Sequence, residues 1–231
     1  MLDLGSTAFY IDTPGLPRRR LERYSTQLFD KWDLYISRVV SIPDYSIALE
    51  VEEGSIKGKG KIAVAIGALY FGIGNYGSFI SGLQTIRDQV VSASNFLADQ
   101  ANSRFDADMT VKKKGGIAAQ LHKLFTKVQS GQLSVEEAMI EAEKLIGENA
   151  KDSPEFMAAL RDSLQTAPKH HLQTDLGLEI PDYVEPLPEG TESEPKPQVP
   201  RPPLPPFPHL RIEVWRESRR EERKVRISNR R

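Results

Sequence analysis

His170 and His171, with Asp175 close behind, are the chain's most metal-like grouping. Adjacent residues of an extended segment point to opposite faces, and zinc needs three or four converging ligands. His122 stands alone in a helical stretch and His209 in the C-terminal part, so no metal ligand set is expected. The carboxylate pairs Glu52-Glu53 and Glu136-Glu137 would suit acid–base work only if burial separated their pKa values. One pair falls at a turn signal and the other in the first turn of a helix, where carboxylates are solvated. The chain has no cysteine, which excludes thiolate catalysis, disulfides and cysteine-held zinc or iron–sulfur clusters. There is no G-x-S-x-G and no Rossmann fingerprint: the bare G-x-G-x-x-G spacing of Gly72, Gly74 and Gly77 falls inside a helix-length apolar stretch rather than between a strand and the helix it opens. No catalytic residue and no cofactor is expected.

Phosphate chemistry is hinted at three times. Asp12-Thr13-Pro14-Gly15, after the apolar Phe9-Tyr10-Ile11, resembles the phosphate-sensing segment of GTPases. That segment follows a P-loop, and neither the residues before it nor "GSIKGKGK" has the required G-x-x-x-x-G-K-[ST] spacing. A proline turn entering a helix is the reading kept. Arg216, Arg219, Arg220 and Arg223, near the C-terminus, are candidate contacts to an anionic partner, diluted by interspersed glutamates. "VPRPPLPPFP" has polyproline character, but Arg201 is one residue out of place for an SH3 ligand, and a stiff spacer is the simpler reading.

Formal net charge is -1, with 39% hydrophobic and 27% charged residues, ordinary for a soluble globular chain. That balance argues against nucleic acid as the partner. The N-terminus lacks the basic-then-apolar order of a secretory signal, and a cytoplasmic protein is expected, with membrane association as the alternative.

The elements that must position these groups follow from periodicity. Residues 17–40 repeat Leu21, Tyr24, Leu28, Trp32, Tyr35 and Val39 at helical spacing. Residues 45–65 change to period two and predict a hairpin. Its expected register sets Val51 opposite Ile56, Glu50 opposite Lys57, Ser46 opposite Lys61 and Tyr45 opposite Ile62. Residues 66–104 read as helical, completing an α+β module over 1–105. "DADMTVKKKGG" is a polar break. Residues 106–167 then give a helical segment, with Ser134 and Glu137 forming a capping box. Residues 168–231, with eleven of the sixteen prolines between Pro181 and Pro208, predict a disordered acidic linker, followed by a basic tail or an added strand.

Residues 62–86 contain no charge, which raises the question of a bilayer. Their tyrosines, serines and glycines make the hydropathy marginal, and their first residues fit a strand better. The preferred reading is a glycine-rich core helix covered by the hairpin. Gly67, Gly74, Ser78 and Gly82 would line one stripe and let another backbone approach closely, within the fold or between copies. The expected function is therefore non-catalytic: self-association or protein-partner binding, with a membrane-inserting or pore-forming effector using 62–86 as the alternative. Glu53-Gly54-Ser55 followed by Tyr76-Gly77-Ser78-Phe79 resembles an arrangement in uncharacterised bacterial proteins, which implies no particular activity.

Overall fold

The computed structural model describes residues 1–105, 107–168 and 209–230. A six-stranded antiparallel sheet, order β4-β1-β3-β2-β5-β6, lies against one layer of helices, an α+β architecture. Its strands are β1 (Leu2–Ile11), β2 (Ser46–Glu52), β3 (Ile56–Val64), β4 (Met109–Gly115), β5 (His209–Arg216) and β6 (Lys224–Arg230). The helices are α1 (Arg18–Val39), α2 (Ile66–Gly74), α3 (Phe79–Asn102), α4 (Ile117–Gln129), α5 (Val135–Ile146) and α6 (Pro154–Thr166).

Helix α1 buries Leu21, Tyr24, Leu28, Trp32 and Ile36, the stripe that a 3.6-residue repeat places on one side. It lies across β2 and β5, while α3 lies across β1. The two helices are tied by polar tips of otherwise apolar side chains. Trp32 Nε1 donates to the Ala93 carbonyl at 3.0 Å and the Tyr24 hydroxyl to that of Ala101 at 2.9 Å. Buried indole and phenol groups need such partners. Tyr35 stacks on Phe96 at 4.1 Å between centroids.

The hairpin forms with its register displaced by two residues from the expected one. Ser46 lies opposite Ala63, Ala48 opposite Lys61, Glu50 opposite Lys59 and Glu52 opposite Lys57. A two-residue shift keeps every side chain on its expected face, whereas a one-residue shift would not. On the other side of β3, the pairing with β1 places Gly58 beside Phe9. A Cβ at Gly58 would lie 2.0 Å from the Phe9 ring, and one at Gly60 would lie 2.3 Å from Leu97. The glycines of "KGKGK" thus make room for an aromatic ring and a helix on the inner face, a use of glycine beneath an aromatic that supports β-sheets. Their lysine neighbours face away.

Three further segments differ from expectation. Residues 2–11 form a central strand, bulged between Asp3 and Gly5, that bonds β3 on one side and β4 on the other. The polar break contains β4, an edge strand paired from Gly5–Gly115 to Ile11–Met109. In the C-terminal part, β5 and β6 are strands of the same sheet, and Leu210, Ile212 and Val214 are buried. The disordered linker expected from residue 168 lies, from residue 169 to 208, outside the described residues. Helices α4 to α6 share one core with the sheet module, through Phe79, Phe125 and Phe156. The Ser134–Glu137 capping box is formed.

Candidate functional site: the open face of the sheet

The inner face of the sheet is covered by α1 and α3; among the described residues no helix lies on the other face. Its composition follows from strand alternation. On β3 the outward residues are Lys57, Lys59 and Lys61, and on β4 Lys112 and Lys114, all exposed. Between the two strands runs β1, whose outward residues are Ser6, Ala8 and Tyr10. Cross-strand partners fix the rows: Lys112–Ala8–Lys59 in one and Lys114–Ser6–Lys61 in the next. Alternate residues along a strand are about 6.6–6.8 Å apart and two strand spacings span about 9.5 Å. The result is a trough floored by Ser6 and Ala8, with Tyr10 in the row of Lys57 at one end, and a line of ammonium groups along each wall. Among the described residues none of these five lysines is in an ion pair. Lys113, on the opposite side of β4, instead donates to Asn95 of α3.

Past β3 the same face changes sign. Glu50 and Glu213 face each other across β2 and β5, and Arg211 donates to Glu50 at 2.6 Å and reaches Glu213 at 3.0 Å. Trp215, half-buried, stands opposite Ala48, with the Arg226 guanidinium 5.5 Å from its ring centre. A recess of about 230 Å³ opens over Ala48, bordered by Lys59, Lys61, Glu50, Glu213 and Trp215.

The arginines singled out from the sequence have other occupations. Arg216 is 8% exposed, contacts Asp33 of α1 at 2.7 Å and lies over the Tyr45 ring at 5.5 Å. The Arg216–Asp33 pair touches without alignment for a hydrogen bond. Burial raises the Asp33 carboxyl above the usual range, more than the Arg216 charge lowers it. Arg219 donates from Nη2 to the Ser37 carbonyl and from its backbone N–H to Asp44. Burial pushes Asp44 upward, but the Arg219 and Tyr45 N–H groups, the Ser218 hydroxyl and the Arg220 charge together bring it below its ordinary value. Arg223 pairs with Asp30. Of the four, Arg220 alone has neither an ion pair nor a side-chain hydrogen bond among the described residues. Three of the four arginines hold β5 and the turn after it against the region of α1.

The glycine stripe does not run along one helix. The chain turns at residues 75–78, where Gly77 has φ 74°, and Ser78 caps α3 by accepting from the Ser81 N–H at 3.2 Å. Gly82 is the stripe residue in tight contact: an added Cβ would lie 2.4 Å from the Ile73 carbonyl oxygen. A Cβ at Gly67 or Gly74 would meet nothing within 4 Å. Between those two, Phe71 is 64% exposed. Helix α2 packs on α3 and α6 rather than beneath the hairpin, which corrects the expected covering. Among the described residues no helix is long and apolar enough to cross a membrane.

The remaining motifs stay apart. Asp12 to Gly15 form the loop between β1 and α1, with the Asp12 N–H on the Asp108 carbonyl. Glu53 Oε2 accepts from the Leu210 N–H, and Glu137 is held below its ordinary value by the Ser134 N–H and hydroxyl. His122 is alone on α4, its pKa lowered by burial and by Arg87. His170 and His171 lie outside the described residues. No metal-competent group of His, Cys, Asp or Glu occurs among the described residues.

The lysine trough was missed because its walls lie far apart in sequence. The usable signal was the same in both: lysines at every second position beside a strand-like run. Against known proteins, the chain matches no family model, no curated sequence and no solved structure.

Proposed function

We propose that this is a non-catalytic binding protein whose docking surface is the open face of the sheet and whose partner is an extended polyanion. One observation carries the reading: Lys57, Lys59, Lys61, Lys112 and Lys114 converge from strands β3 and β4; Glu52 and Glu50 stand across from the first two, and the cross-strand neighbours of the other three carry no charge. Lysines on an edge strand such as β4 also discourage pairing with other chains. That role does not account for the three on β3, which is an interior strand. Titrating the purified chain with polyanion over a range of salt tests the proposal. Neutralising five charges gives a log–log salt slope of about -3.5 for a single strand. Replacing Lys57, Lys59 and Lys61 with Ala should abolish most of the binding, while Arg220→Ala should leave it nearly unchanged. Equal loss from both would overturn it.

A second reading, assembly through α2, has its own support. Gly67, Phe71 and Gly74 make an uncharged exposed stripe, and neither glycine is required by its neighbours or by a positive φ. Gly74→Leu and Phe71→Asp would then shift the sedimentation profile toward monomer. Flotation with vesicles that is lost in Phe71→Asp would favour membrane contact instead.

A further inference from the structure

Resting on the open face as an anion-binding surface, we propose that the recess over Ala48 seats one base of a single-stranded nucleic acid whose backbone follows the lysine rows. The recess has the parts this needs. Ala48 lies in one cross-strand row between Lys61 and Trp215, so its methyl group forms a low floor between an ammonium group and an indole. The next row is Lys59, Glu50 and Glu213. At about 230 Å³ the space is smaller than a pocket for a drug-sized ligand and suits a flat heterocycle standing beside Trp215. Aromatic side chains beside a basic track are the usual platform for single strands.

The carboxylates decide orientation and base type. Arg211 engages Glu50 through Oε2 and Glu213 through Oε1. Glu213 Oε2 is 3.9 Å from Arg226, too long for a hydrogen bond, so acceptor capacity remains at the mouth of the recess. Amino groups of cytosine, adenine or guanine would find acceptors there; thymine would bring mainly carbonyls. Phosphates would be repelled from that side and drawn toward Lys59, Lys61 and the trough beyond. Alternate lysines on β3 and β4 repeat at about 6.6–6.8 Å, close to the step between phosphates of an extended strand. An acidic peptide would satisfy the lysines but set its carboxylates against Glu50 and Glu213, and extended peptides characteristically join sheet edges rather than faces. Duplex DNA keeps its bases stacked inside and offers none to such a recess.

The test uses the full chain and four probes: oligodeoxycytidylate of about twelve nucleotides, within the span one small domain covers, oligodeoxythymidylate, an abasic phosphodiester of equal length, and polyglutamate. Deoxycytidylate should bind about tenfold more tightly than the abasic polymer, the order of one lost base stack. It should also quench Trp215 emission; Trp32 is buried and should not respond. Ala48→Leu, which fills the recess without changing charge, should bring deoxycytidylate down to the abasic value and leave the abasic polymer unaffected. Equal binding of the two polymers, with no effect of Ala48→Leu, would overturn the base seat and leave the anion-binding surface standing. Thymidylate binding as tightly as deoxycytidylate would overturn the part given to Glu50 and Glu213. Tighter binding of polyglutamate would make the partner an acidic protein, and no binding by any probe would remove both readings.

Discussion

Lys57, Lys59, Lys61, Lys112 and Lys114 on one part of the sheet, and Arg211, Arg216, Arg219 and Arg223 around β5, bring similar charge with different partners. The arginines meet Glu50, Glu213, Asp33 and Asp30, or a backbone carbonyl. Of the lysines, Lys57 and Lys59 stand across from Glu52 and Glu50, while Lys61, Lys112 and Lys114 have only uncharged cross-strand neighbours. Residue chemistry fits the division: a guanidinium is a rigid fork suited to fixed pairs, whereas an ammonium is a strongly hydrated point charge on a flexible stem. Charge spent on holding strands to a helix is not available to a ligand. A basic cluster in sequence is therefore a weaker sign of an anion site than unpaired basic residues brought together by the fold.

The comparison can be broken most directly at Asp33. Asp33→Ala leaves Arg216 buried without its partner, and we expect a loss of about 3 kcal/mol of stability, seen as a lower chemical-denaturation midpoint with an unchanged slope. A loss comparable to that of an exposed pair would mean that the arginines are no more committed than the lysines. Next, Lys59→Ala with Lys61→Ala should change stability by no more than about 0.5 kcal/mol, yet weaken polyanion binding by about tenfold. A large fall in the melting temperature would reveal a structural role for the lysines and erase the contrast.

Acid titration sharpens it further. Because the folded-state pKa of Asp44 is depressed, the unfolded chain takes up the proton first as pH falls. The stability from Asp44 is present above the ordinary aspartate range and lost as pH drops through the lowered value. The group is exposed, so screening limits the amount to less than about 1 kcal/mol. Asp44→Asn should remove that part of the acid limb. The smallest effect belongs to Glu217, which pairs with Lys224 in solvent; Glu217→Gln should leave the thermal midpoint within experimental scatter.

Sequence periodicity was informative where one face met a core and the other met water. That holds for α1, for the faces of β2 and β3, and for the capping box of α5. It was blind to β4, whose "TVKKKG" has too few apolar positions to alternate, because an edge strand is solvated along one side as well as over one face. The glycine pattern was visible but its reason was not: Gly58 and Gly60 answer to Phe9 and Leu97, side chains that only the folded sheet brings near. The two lysine runs were legible singly as wet faces. Their union depends on β1 lying between β3 and β4, which neither local spacing nor a net charge of -1 can encode.

Strand β2 meets β3 within a few residues of its own synthesis, but its opposite side waits for β5, which the ribosome makes only after residues 169–208. During that interval β2 offers an unsatisfied row of backbone groups to any other chain. The glutamates at positions 50 and 52, both opposite lysines of β3, are well placed to keep the nascent chain from clumping until its own strand arrives.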